Sequence, residues 1–212
     1  ASHADKIPEE KRYKFLQYIV ARANKGGNVT IEPHGQENIP KEGGFMLFPN
    51  HQGLYDVLAI VDVCPRPLSA VIKKEAAGVP FLKQCVAIMK AFSIDRKDIR
   101  QSMQVISNVT KEVQSGRNYI IFAEGTRSKM GNKLLDFKGG SFKAATKAKC
   151  PIVPVALIDS FKPFDTSSIE PVTVQVHFLK PMLYDEYKDM KTVEIAAEVK
   201  HRIEETIEKY EK

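Results

Sequence analysis

The stretch 44-GFMLFPNHQGLYDVLAIVDV-63 decides how this chain is read. Phe45, Met46, Leu47 and Phe48 form a short apolar run that stops at Pro49 and Asn50, the composition of a buried strand. Leu54 to Val63 is apolar over a length that suits a helix, and the polar residues His51, Gln52 and Gly53 lie between the two. A strand that hands over to a helix through a short polar turn is the repeating unit of an α/β fold.

Outward from that unit the alternation continues. After Pro8, Tyr13, Leu16, Ile19, Val20 and Ala23 recur at helical spacing with charges between them, and 24-NKGGN-28 ends the helix. The stretch 28-NVTIEPHG-35 reads as a strand. Beyond the central unit, 68-LSAVI-72 is a buried strand, 73-KKEAAGVPFLKQCVAIMK-90 gives helical pieces broken near Gly78 and Pro80, and 91-AFSI-94 is a short strand. A helix from about Asp98 to Ser115 is expected to bury Ile99, Met103, Ile106, Val109 and Val113, with Gly116 at its C-terminal stop. Then follow a strand in 118-NYIIFA-123, a helix in 140-GSFKAATKAK-149, strands in 151-PIVPVAL-157 and 171-PVTVQVHF-178, and a last helix carrying Ala196, Val199, Ile203, Ile207 and Tyr210. The expectation is an amphipathic helical segment over residues 1–27 and a single α/β domain over 28–212, its central, mostly parallel or mixed sheet flanked by helices. The first helix is expected to dock on the core, with binding to a membrane surface as the second reading.

Composition limits the partners. At 212 residues and 43% hydrophobic content the chain can bury one substantial core. A formal charge of +6 draws it toward anions: phosphorylated metabolites, acidic carrier proteins, anionic lipid or nucleic acid. Nucleic acid fits poorly, because the basic residues are dispersed among acidic ones and there is no Trp. Cys64, Cys85 and Cys150 are widely spaced without a CxxC pair and sit in apolar company, as buried thiols of a reducing cytoplasmic setting do. His3, His34, His51, His177 and His201 lack metal-ligand spacing, so no metal is expected; His34 and His177 read as strand-end or core histidines. No GxxxxGK[ST] loop for nucleotide phosphates occurs, and no cofactor is called for. No apolar run approaches the roughly 20 residues of a membrane-spanning helix, so these residues are expected to be soluble, while an anchor upstream of Ala1 stays open. No oligomeric state is assigned.

In α/β sheets, sites gather where loops leave the carboxyl ends of strands, and two such loops carry chemistry. In one continuous helix His51 and Asp56 would face about 140° apart, so they meet only through a turn, with Gly53 supplying backbone freedom. A carboxylate on one imidazole nitrogen fixes the tautomer and leaves the other free to take a proton. By itself HxxxxD is also what a loop histidine beside a helix-capping aspartate looks like. The second loop, in 119-YIIFAEGTRSK-129, sets Glu124, Gly125, Thr126, Arg127 and Ser128 directly after an apolar strand. Guanidinium with neighbouring hydroxyls suits a phosphate; a solvated turn with a surface salt bridge is the plainer reading. Lys73, Lys74, Arg96 and Lys138 fall in comparable connections and make an anion pocket plausible around one sheet edge.

The blocks 50-NHQGLYD-56, 91-AFSIDR-96, 122-FAEGTRS-128 and 152-IVPVAL-157, in this order and spacing, resemble the four motif blocks of the lysophosphatidate (1-acylglycerol-3-phosphate) acyltransferases within the glycerolipid acyltransferase superfamily. The resemblance spans roughly Ile31 to Leu157. It implies an acyltransferase domain over 28–212, with His51 as base and Asp56 as its orienting partner. It implies that Lys73, Arg96 and the block Glu124, Gly125, Thr126, Arg127 and Ser128 bind the acceptor, with Lys138 beside them, and that Val153 and Pro154 shape the acyl side. This sequence departs from the pattern at Gly53, where the family often has Ser, at Lys90, often Gly, and at Ala123, often Pro. The implied reaction moves a fatty acyl group from acyl-CoA or acyl carrier protein to the sn-2 hydroxyl of lysophosphatidic acid at the cytoplasmic face of a membrane. Direct transfer fits a chain with no GxSxG elbow and no Cys beside a base. Two other readings stay open: glycerol 3-phosphate or another lysophospholipid as acceptor, and a non-catalytic binder of anionic lipid.

Overall fold

The computed structural model describes residues 6–74, 82–95, 97–166 and 170–211. Its centre is a seven-stranded sheet in the order β1-β7-β6-β2-β5-β3-β4. The strands are β1 (Val29–His34), β2 (Met46–Pro49), β3 (Ser69–Lys73), β4 (Phe92–Ile94), β5 (Tyr119–Ile120), β6 (Ile152–Ile158) and β7 (Val172–Phe178). Neighbours run parallel except β6 and β7, so β6, β2, β5, β3 and β4 all end at one edge of the sheet. The expected mostly parallel or mixed sheet flanked by helices is what the chain forms.

Period-two alternation divides the core into two layers. Leu47, Ile120, Val153, Val155 and Leu157 face helices α1 (Glu9–Gly26), α2 (Asp56–Val63) and α3 (Leu82–Met89). Met46, Phe48, Tyr119, Ile152 and Ala156 face α4 (Ile99–Gln114), α5 (Lys143–Ala148) and α8 (Thr192–Tyr210). Two single-turn helices, α6 (Lys162–Asp165) and α7 (Tyr184–Tyr187), were not foreseen in the sequence. The first helix docks through Tyr13, Leu16 and Val20 and leaves Phe15 and Tyr18 outside. Among the described residues, no helix is long and apolar enough to cross a membrane.

Two local expectations need correcting, and a third is not tested. In α4, capped by the Asp98 carboxylate on the Gln101 amide at 3.0 Å, the inner face is set by Val105, Val109 and Val113, while Ile99 and Met103 are exposed. At about 100° per residue, Met103 stands some 160° round the helix from Val105. The strand after Asn118 keeps its ladder only to Ile120; Ile121 still donates to the Leu47 carbonyl at 3.0 Å, but the Ala123 carbonyl is taken by the Lys138 amide at 2.9 Å. The expected break near Gly78 and Pro80 lies outside the described residues, as does Arg96.

Candidate active site

His51 follows the carboxyl end of β2, and Asp56 is the first residue of α2. The turn between them brings His51 Nδ1 to 2.7 Å from Asp56 Oδ2. Asp56 is fully buried, while the His51 side chain keeps 22% exposure. A carboxylate accepts only, so Nδ1 carries the proton and donates it, leaving Nε2 unprotonated in the neutral ring. The same Oδ2 accepts the Gln52 amide at 2.7 Å, and the Gly53 amide is shared between both carboxylate oxygens at 3.1 Å. Ser160 Oγ stands 2.6 Å from Oδ1. Each of these four groups donates to Asp56.

Gly53 is needed for room. Its backbone is not in the left-handed region, but a Cβ there would lie 2.6 Å from Asp165 Oδ2 and 3.0 Å from the Phe161 Cα. A Cβ at 53 would therefore press on the backbone just before α6.

The loop after β5 clamps the histidine from behind. Glu124 Oε1 accepts the His51 amide at 2.6 Å and Oε2 accepts the Leu135 amide at 2.9 Å. Burial pushes this carboxyl above the usual range, against the lowering effect of those two amides and of His51. The Ser128 amide donates to the His51 carbonyl at 2.8 Å, and the Phe122 ring stacks on the imidazole at 4.0 Å. Asn50 completes the frame by exchanging two hydrogen bonds with Leu157 on β6, at 2.7 and 3.0 Å.

His51 opens on a cleft of about 710 Å³. One part of its wall is polar, with Gly125, Thr126, Arg127, Lys73 and Lys138; the rest is apolar, from Val71 and Ile72 on β3, Val86 and Met89 on α3, and Val105 and Ile106 on α4. The arrangement suits a molecule with an anionic head and an oily tail. No group of three or more His, Cys, Asp or Glu placed to hold a metal ion is found among the described residues. The three cysteines are buried and unpaired; burial pushes the Cys64 and Cys150 thiols up to about 12, so neither is an available thiolate nucleophile near neutral pH.

Comparison with known proteins gives this geometry a family. The profile of a family described as Acyltransferase matches residues 30–158. The chain belongs to this acyltransferase family. A 1-acyl-sn-glycerol-3-phosphate acyltransferase of Helicobacter pylori is 31% identical over 63% of this chain and 58% of its own length. The protein of that name from Escherichia coli is 30% identical over 80% of this chain and 69% of its own. Among solved structures, the 1-acyl-sn-glycerophosphate (LPA) acyltransferase PlsC of Thermotoga maritima superposes with a TM-score of 0.77 at 21% identity, over 94% of this chain and 80% of that one, a likeness of fold.

Within this acyltransferase domain the sequence-derived residues separate into three groups. His51, Lys73, Gly125, Thr126, Arg127 and Lys138 share the cleft, and Arg127 Nη1 also reaches Asp165 Oδ1 at 3.4 Å. Asp56, Glu124 and Ser128 act one step back, on His51 itself. Val153 and Pro154 lie inside β6, in register with Leu47 and Phe48 and buried, so the structure does not bring them to the cleft wall. The Gly125 amide donates to the Phe122 carbonyl at 3.1 Å. Sequence reasoning missed Phe122, Asn50, Gln52 and Ser160. Asn50, Gln52 and Phe122 had a signal, each lying within a motif block; nothing in sequence ties Ser160 to a site 104 residues away.

Proposed function

We propose that this protein transfers a fatty acyl group from a thioester to the sn-2 hydroxyl of lysophosphatidic acid, forming phosphatidic acid. The observation that carries the reading is the 2.7 Å His51–Asp56 contact at the mouth of a cleft that is cationic at one part and apolar over the rest. The acceptor's phosphate pairs with Arg127 and the nearby lysines, and its hydroxyl comes to His51 Nε2. His51 takes the hydroxyl proton as the oxygen attacks the thioester carbonyl, and Asp56 stabilises the imidazolium that forms. The tetrahedral intermediate then expels the thiolate of coenzyme A or acyl carrier protein, which recovers a proton from His51. No covalent acyl-enzyme is involved.

The chain spans 58% of the Helicobacter relative and 69% of the Escherichia one, so substrates and membrane attachment belong to this proposal. Long-chain acceptor and product need access to a bilayer, and we place the protein peripherally on the cytoplasmic face of one. The test is thiol release from a long-chain acyl-CoA in detergent micelles, with and without lysophosphatidic acid. Acceptor-dependent release that falls on the order of 10²- to 10⁴-fold in His51→Ala supports the reading. Equal release without acceptor, or with His51→Ala, overturns it. Parallel arms with glycerol 3-phosphate, another lysophospholipid and acyl carrier protein fix acceptor and donor.

A further inference from the structure

Asp56 is held at both of its oxygens. Oδ2 meets the imidazole and the Gln52 amide; Oδ1 shares the Gly53 amide and, among the described residues, takes its one side-chain donor from Ser160, in the segment just beyond β6. Ser160 is fully buried and its hydroxyl has one proton to give. Two acceptors lie within reach, Asp56 Oδ1 at 2.6 Å and Gln52 Oε1 at 2.9 Å. The carboxylate contact is the shorter and falls in the range of charge-assisted O–H···O⁻ bonds. Gln52 cannot be turned over to donate to Ser160 instead: its Nε2 serves Asn132 Oδ1 at 2.7 Å and the Leu157 carbonyl at 2.9 Å, while its Oε1 accepts the Ser160 amide at 2.9 Å. The amide of Gln52 thus locks Ser160 in place and leaves its hydroxyl to Asp56.

We propose that Ser160 is a positioning residue of the acyl transfer, its hydroxyl on Asp56 Oδ1 fixing the carboxylate so that Oδ2 stays aimed at His51 Nδ1. The proposal rests on the reading of His51 as the base. Ser160–Asp56–His51 forms a line running from the interior to the cleft, with the serine at the buried end and making no contact with substrate. Withdrawing this hydroxyl has two effects. The carboxylate loses the side-chain anchor on its far oxygen and keeps there only the shared Gly53 amide, and it concentrates more charge on the oxygen facing the imidazole, which favours the imidazolium.

The test compares wild type, Ser160→Ala and the near-isosteric Ser160→Cys in the full chain. Two readouts are used: kcat and acceptor KM with acyl-CoA and lysophosphatidic acid in micelles, and NMR titration of the His51 ring, assigned with His51→Ala. For Ser160→Ala, kcat falls on the order of tenfold, short of the roughly 10²-fold that a 1 Å misplacement costs, while acceptor KM holds within about twofold. The His51 titration curve moves to higher pH than in wild type. Ser160→Cys, a weak donor, moves it the same way by less and carries the test if the alanine variant does not fold. A lowered kcat with an unmoved His51 curve leaves Ser160 a purely structural residue and overturns the proposal, as does wild-type kcat. If wild type transfers no acyl group, the base reading fails, and the titration still decides whether Ser160 acts on Asp56 and through it on His51.

Discussion

Asp56→Asn isolates the charge of the orienting residue from its shape. Everything around Asp56 donates, so the new amide nitrogen must face a donor at one of the two oxygen positions. At the Oδ2 position it would confront the Gln52 amide, which cannot reverse, and the imidazole Nδ1, which could accept only by moving its proton to Nε2. At the Oδ1 position it confronts Ser160, whose hydroxyl can turn its proton to Gln52 Oε1, 2.9 Å away, and accept instead. The variant therefore keeps the His51 tautomer and loses only the negative charge opposite the forming imidazolium. A hydrogen bond to a charged group contributes about 1.5–3 kcal/mol and a neutral one about 0.5–1.5, a difference of about 1–2 kcal/mol. At 1.36 kcal/mol per decade, kcat falls about 5- to 30-fold with acceptor KM unchanged. Steady-state kinetics with lysophosphatidic acid as the varied substrate measure this. A kcat within about twofold of wild type would refute the role given to the carboxylate, and a loss as large as that of His51→Ala would mean that the tautomer had been set by the charge after all.

Three further outcomes follow from the geometry. Arg127→Ala raises acceptor KM, whereas Asp165→Asn, which frees Arg127 from a partly exposed pair of at most about 1 kcal/mol, lowers it by up to about fivefold; unchanged KM in both would remove the phosphate from Arg127. Lys90 sits in the left-handed region at φ 51°, so on backbone terms Lys90→Gly relieves about 1–2 kcal/mol of strain against about 0.5–1 kcal/mol of added chain entropy, a net of up to about 1.5 kcal/mol that raises Tm by up to about 6 °C in a thermal melt. His177 is buried between the stacked ring of His34 at 4.3 Å and Tyr210 at 4.6 Å, and burial lowers it from 6.5 to about 4. Below pH 6.5 the unfolded chain binds a proton that the folded form resists, so this contribution is whole above that pH and is lost as pH falls toward 4. The loss is about 2 kcal/mol by pH 5, and urea unfolding near pH 8 and pH 5 should show it in wild type and lack it in His177→Phe.

The fold was legible because its signals are local. Apolar runs of strand length, amphipathic helices and Gly or Pro boundaries give the order of elements, and that order implies a largely parallel sheet. What sequence did not carry is direction around an axis and distance through space. Ile99 and Met103 match helical spacing as well as Val105 does, and only the neighbours of α4 decide which stripe is buried. The site was legible where chemistry and motif coincide, at His51, Asp56 and Arg127. It was opaque at Ser160, whose relevance arises from β6 lying next to β2 in the sheet. Gly53 was seen as special for the wrong reason, because a missing side chain signals either backbone freedom or lack of space, and here it is space.

The block Glu124–Ser128 resolves a conflict that the sequence alone leaves standing: a loop proposed to bind a phosphate carries a carboxylate. The chain separates the two by direction. Gly125, at φ 80°, turns the backbone sharply between them, so that Glu124 points inward to the His51 and Leu135 amides while Arg127 emerges in the cleft. Glu124 is buried and its charge is answered by backbone donors, so little of its field reaches an incoming anion. The cost of burying it, visible in its raised carboxyl, is offset by what it fixes: the loop from β5 that presents Arg127 is bonded to the loop from β2 that presents His51, through Glu124 on one side of the histidine backbone and Ser128 on the other. One short motif thus sets the spacing between Arg127, proposed to bind the anion, and His51, the proposed base. A shift of either loop would carry the other with it, and that coupling is why Glu124 and Arg127 belong to the same block although only one of them meets the cleft.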